Sequence, residues 1–204
     1  MTTYQGRRDA SPAQYLLSEA AQALKRAKES EEGRSLECMT SIILSAFALE
    51  AFLNLLAEQT FVDKYGEAQG LKKWQALERR LDPQAKLDLI VLMHALKVDT
   101  SSSPFNELGG LFSYRNQLAH GKVWHSGDVV FEATGKPSLG KVQKLTPPWF
   151  RKATVGNAEK FYKAVLGMAD ILVGYTGYLR GIRISDTASY ESISPLPDEE
   201  ESAL

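Results

Sequence analysis

At 204 residues and 44% hydrophobic, the chain can fill one ordinary core, so a single domain with tails is expected. A lone cysteine, Cys38, excludes an intrachain disulfide and a cysteine zinc site, and it fits a reducing cytoplasm. The formal net charge of −1 is unevenly spread: residues 184–204 carry Asp186, Glu191, Asp198, Glu199, Glu200 and Glu201 without Lys or Arg, and setting those six charges aside moves the body from −1 to +5. A mildly basic body permits a polyanion partner.

In chain order, MTTYQGRRDA has no apolar core, so residues 1–10 read as a flexible N-terminus and not as a signal peptide. A first helix is predicted from Ser11, with Ser11 as cap, Pro12 at the first helical position and Gln14 completing a capping box. Its apolar face is Leu16, Leu17, Ala20, Ala23, Leu24 and Ala27, and the polar run ESEEG, residues 29–33, ends it. The second helix is predicted over about Ser35 to Thr60, with Leu36, Met39, Ile43, Phe47 and Leu53 at helical spacing. From Ile42 to Ala57 it is apolar nearly all round, which marks a central core helix. That run is short for a comfortable bilayer span and carries Glu50 near its middle, so no membrane association is expected.

A shorter helix is predicted over about Gly66–Leu81, and another from Asp82-Pro83, with Asp82 as cap and Leu87, Ile90, Val91 and His94 on its buried face. VDTSSS, residues 98–103, reads as a loop, and Ser103-Pro104 opens the next helix, in which Gly109 and Gly110 either weaken the helix or admit a close neighbour. Residues 121–150 lose the helical period; DVVFEA and KVQKL around TGKPSLG suggest a short β-hairpin or an irregular loop. A long helix follows from about Thr154 to Arg183, with Phe161, Val165, Met168, Leu172, Tyr175 and Leu179 on its core face. Residues 184–204 read as an acidic disordered tail. The fold class is all-α: a helical bundle over residues 11–183 with one non-helical insertion.

The densest set of reactive groups is FSYRNQLAHGK, residues 112–122. Arginine offers a permanent planar cation that suits phosphate, and histidine moves protons near neutral pH. An amide beside them orients a phosphate oxygen or the imidazole. Arg115, Asn116 and His120 together supply what metal-independent RNA cleavage needs: a base for the 2′-hydroxyl and a cation for the developing phosphoryl charge. At about 100° per residue, Asn116 and His120 lie about 40° apart on a helix and Arg115 and His120 about 140°. One ideal helix does not aim all three at one point: either the long Arg115 side chain bends round, or the helix ends before His120, or two chains meet and share a cleft.

RNQLAHG, residues 115–121, resembles the hallmark of the HEPN superfamily, an Arg followed after four to six residues by His, commonly with a polar residue after the Arg. SIILSAFALEAFLNLLAEQ, residues 41–59, is similar to the long helix that precedes the motif in that superfamily. The resemblance covers roughly residues 11–183 and implies an HEPN-like helical bundle. It further implies a metal-independent endoribonuclease, often in toxin–antitoxin, defence or RNA-processing systems, acting as a homodimer with Arg115, Asn116 and His120 at the shared site. Other members are non-catalytic and serve for dimerisation or for RNA or nucleotide binding. The partners implied are RNA, a second copy and an antitoxin or regulatory protein.

Competing readings stay open. His120 followed by Gly121 also fits an ordinary helix C-terminus. Arg115 continues the stripe Phe105, Leu108, Phe112, and Glu50 is an unpaired carboxylate in an apolar helix, so an Arg115–Glu50 pair is a structural alternative that can also brace a catalytic arginine. A helical interaction protein whose Arg and His are structural is the third reading. His94 reads as a core histidine and His125 as a loop residue or a second proton donor. Three scattered histidines point to no metal site and no cofactor. Lys122, Trp124, His125, Lys141 and Lys144 are candidate RNA contacts through charge and stacking, or else a solvated surface.

Overall fold

The computed structural model describes residues 4–9, 12–120, 146–176 and 190–195. These are mostly helical, as the apolar periodicity predicts. Helix α1 spans Pro12–Glu29 and buries Ala13, Gln14, Leu17, Ala20, Ala23, Leu24 and Ala27; the expected cap, Ser11, lies outside the described residues. The chain turns at Gly33, whose φ of 70° is the left-handed conformation that glycine adopts without a Cβ penalty. Arg34, the first residue of helix α2 (Arg34–Tyr65), then closes the end of α1: its Nε donates to the carbonyls of Ala27 and Ser30, both at 3.1 Å. Arg26 pairs with Glu37 across the same turn at 3.0 Å, which completes an αα-hairpin.

Helix α2 is the central element. It packs against α1, α3 (Glu67–Leu77), α4 (Pro83–Met93), α5 (Leu108–Ala119) and α7 (Val155–Thr176). It runs five residues beyond the predicted end at Thr60. Phe61 is buried there, and Gln59 donates to Asp63 one turn on at 2.9 Å, so the polar residues support the helix rather than end it. Its buried face is Ile42, Ala46, Leu49, Leu53 and Leu56, whereas Leu36 and Phe47 of the predicted stripe are exposed. The helix is long and apolar enough to cross a membrane by length and composition, and half of its most apolar window is buried within the fold.

Gly66, at φ 79°, separates α2 from α3. Gly70 of α3 lies directly on the α2 backbone; a Cβ built there would come 2.6 Å from both the Phe61 carbonyl oxygen and the Val62 Cα. The same contact seats Trp74, fully buried with its ring 5.8 Å from that of Phe61. Helix α4 begins as predicted, with the Asp82 carboxylate accepting from the Ala85 N–H at 2.8 Å and Pro83 in the first turn. A 3₁₀ turn over Phe105–Glu107 leads into α5. Of its two glycines, Gly110 faces the Phe161 ring, with a built Cβ 3.4 Å away, and Gly109 faces open space. A single turn, α6 (Pro148–Arg151), precedes α7, where Thr154 Oγ1 accepts from the Asn157 N–H at 3.2 Å. Phe161, Val165, Met168 and Leu172 form the buried face of α7; the predicted continuation through Leu179 to Arg183 lies outside the described residues.

Strand β1 (Tyr4–Asp9) pairs antiparallel with strand β2 (Tyr190–Pro195), in a register that sets Tyr4 opposite Pro195 and Arg8 opposite Glu191. Composition registers how much apolar surface a segment can bury, and backbone pairing of this kind needs little of it. The rest of the acidic tail lies outside the described residues, as do residues 121–145 of the hairpin or irregular insertion expected over 121–150; the last residues of that insertion enter the helical turn Pro148–Arg151.

His94 caps α4 at its C-terminus and is half-buried against α2. Thr60 Oγ1 donates its one proton to the Leu56 carbonyl at 2.7 Å, so the His94 Nε2–H must be the donor in the 2.9 Å contact with Thr60. Burial holds the His94 pKa below its ordinary 6.5, opposed by the nearby Asp63 carboxylate.

Two outcomes follow from this packing. Gly70→Ala forces the α2 backbone to shift and is expected to destabilise the protein by about 1–3 kcal/mol in urea denaturation. For His94 the unfolded chain binds the proton more readily, so its contribution to stability is complete above pH 6.5 and is lost as the pH falls below that value. Unfolding midpoints measured across this range should drop toward acid, and His94→Gln should flatten the drop.

Candidate functional site

The site forms where α2, α4 and α5 meet. Phe105, Leu108 and Phe112 bury one stripe of the 3₁₀ turn and α5, and the next position of that stripe is Arg115. Its guanidinium therefore arrives at the core boundary. There it lies 5.7 Å from the centre of the Phe47 ring and 5.4 Å from that of Phe112, positions that attract a cation to an aromatic face.

Glu50 of α2 receives it. Arg115 Nη2 donates to Glu50 Oε2, so the structural pair weighed from the sequence forms. The other carboxylate oxygen, Oε1, lies 3.8 Å from Nζ of Lys86 on α4. Glu50 is thus shared by two cations from two different helices. The side chains of Glu50 and Arg115 are 27% and 20% exposed, whereas that of Lys86 is only 4% exposed. A lysine so fully buried requires a compensating anion, and Glu50 is its ion-pair partner.

Arg115 also orients its neighbour: Nη1 donates to the Asn116 Oδ1 at 2.9 Å. His120 ends α5, and its backbone N–H bonds to the Asn116 carbonyl at 3.0 Å. Both Asn116 and His120 are exposed. The helix-end reading of His120 therefore describes its backbone, and its imidazole faces outward one turn beyond Asn116. Among the described residues, no side chain hydrogen-bonds the imidazole or joins it to the guanidinium, which agrees with the angular separation expected on one helix.

Among the described residues, Arg115 Nε and Asn54 Oδ1, one helical turn beyond Glu50, are buried with no hydrogen bond, as are Ser41 Oγ, Ser45 Oγ and the Tyr114 hydroxyl. Burial pushes the Tyr114 phenol up to about 12, aided by nearby Cys38, so Tyr114 keeps its proton at neutral pH. Among the described residues no group of three His, Cys, Asp or Glu side chains is placed to hold a metal ion. Lys122, Trp124, His125, Lys141 and Lys144, the candidate RNA contacts, lie outside the described residues.

Lys86 was not among the residues singled out from the sequence. A signal existed: Lys86 falls four positions before Ile90, on the face that Leu87 and Ile90 bury, and its charge answers the lone Glu50 of an apolar helix.

No protein-family model, characterised protein or solved structure matches this chain.

The geometry ranks the substitutions. Glu50→Gln leaves Lys86 buried without an anion and is expected to cost about 3–5 kcal/mol in urea denaturation. Arg115→Ala leaves the Glu50–Lys86 pair in place and should cost clearly less. A larger loss from Arg115→Ala than from Glu50→Gln would contradict the shared carboxylate.

Proposed function

We propose that this protein is a metal-independent endoribonuclease of HEPN type, acting on RNA as a homodimer in the cytoplasm. The observation that carries the proposal is the state of Arg115. Glu50 fixes the guanidinium, yet the bonds it makes among the described residues use one N–H on each terminal nitrogen. One further N–H remains on each, and a phosphate oxygen can accept from it. Asn116 beside it and the exposed His120 one turn on complete the set of groups the chemistry requires.

In this reading the His120 imidazole takes the proton from an RNA 2′-hydroxyl. The freed oxygen attacks the adjacent phosphorus while the bond from phosphorus to the 5′-oxygen breaks. Arg115 stabilises the negative charge that grows on the non-bridging oxygens. The departing 5′-oxygen needs a proton, and one histidine cannot serve as base and acid in the same event. A second copy brings a second His120, so a paired site supplies both roles. The products are a 2′,3′-cyclic phosphate and a 5′-hydroxyl.

A second reading has its own observation. Glu50 already neutralises much of the Arg115 charge, as a bound phosphate would, and this favours a non-catalytic HEPN module that dimerises or binds RNA or nucleotide.

The test is cleavage of single-stranded RNA with a chelator present and analysis of the product ends. Wild-type protein should yield cyclic phosphate and 5′-hydroxyl ends, and Arg115→Ala and His120→Ala should each reduce the rate by about 100-fold or more while remaining folded. RNA binding without cleavage favours the second reading.

A further inference from the structure

We infer that Lys86 is a positioning residue for Arg115: by holding one oxygen of Glu50, it limits how far that carboxylate cancels the arginine's charge toward a bound phosphate. The inference rests on the ribonuclease reading of Arg115 for its consequence, and on the ion-pair geometry for its physical content.

Two formal positive charges meet one negative charge at the junction of α2, α4 and α5. The cluster as a whole therefore keeps one positive charge. Lys86 is too buried to touch a substrate, so it cannot supply that charge by contact. It acts through Glu50, whose two oxygens face one cation each. With Lys86 removed, Glu50 and Arg115 form a simple neutral pair, and an approaching phosphate meets no net positive charge. With Glu50 also neutralised, Arg115 stands alone and the net positive charge returns. The number of ion pairs and the local charge thus change in different directions across these variants, which separates an electrostatic role from a merely structural one.

Two measurements on the full chain decide the matter. The first reads the sharing of Glu50 through thermal unfolding midpoints. Arg115→Met strands Glu50 only where Lys86 is already absent, so its midpoint drop should be larger in a Lys86→Met background than in wild type, by about 3 °C or more. Equal drops overturn the sharing. Should Lys86→Met fail to fold, Lys86→Gln removes the same charge and keeps a hydrogen-bonding end. The second measurement reads affinity for a mixed-sequence 2′-O-methyl RNA, which lacks the attacking hydroxyl. Lys86→Met should weaken binding about five-fold, and Lys86→Met combined with Glu50→Gln should recover it. No weakening in the single variant, or no recovery in the double variant, overturns the positioning role. Wild-type protein that neither binds nor cleaves RNA overturns the ribonuclease reading, and the midpoints then decide the sharing of Glu50 by themselves.

Discussion

Glu50 places a negative charge in the most apolar stretch of the chain, and the architecture around α2 is arranged to answer it. A carboxylate at that depth is costly unless cations meet it with good geometry. Two do, one from α4 and one from α5. Their convergence ties both helices to one turn of α2, a constraint that non-directional apolar packing does not impose. Leu87 and Ile90 set α4 against the core, and Leu108, Leu111 and Phe112 set α5. The shared carboxylate fixes how those faces sit along α2.

The same interaction bears on chemistry. A guanidinium that waved freely in solvent would have to be ordered when a phosphate bound. Arg115 is already ordered by Glu50, Asn116 and two aromatic rings. Preorganisation of this kind lowers the reorganisation needed at a reacting phosphate. It also brings an anion close to the place where another anion would bind. Whether such a site binds RNA therefore depends on the balance of charge in the whole cluster, and a residue of α4 with little solvent contact becomes part of that balance.

Some of this was legible in the sequence because its cause is local. Pro12 and the pair Asp82-Pro83 mark helix starts through their own backbone chemistry, and α1 and α4 begin there. Glu50 and Arg115 were legible as a pair because each was a lone charge on an apolar stripe. What depends on the fold as a whole was harder to read. α2 continues to Tyr65 because Phe61 packs, and Gly70 supports that packing from another helix. Leu36 and Phe47 have helical spacing, yet the partners of α2 cover a different face. Lys86 escaped notice because lysine is ordinarily solvated, and only the crossing of α4 over α2 gives it an anion. The pairing of Tyr4–Asp9 with Tyr190–Pro195 joins segments from opposite ends of the chain, and nothing within either segment announces the other. The HEPN resemblance and the candidate RNA contacts after Gly121 rest on the sequence.

The turn at Gly33 also has a kinetic side. Arg34 reaches carbonyls only seven and four residues back, whereas Glu50 and Arg115 are 65 residues apart along the chain. Closing a short loop costs less chain entropy than closing a long one. Entropy thus favours a search in which the α1–α2 hairpin closes before the distant arginine docks on it. Glu50 would spend that interval on a partly formed helix without its counterions, exposed to water that solvates it well. Burial and pairing then come together in one late step, so the carboxylate need never be dry and alone.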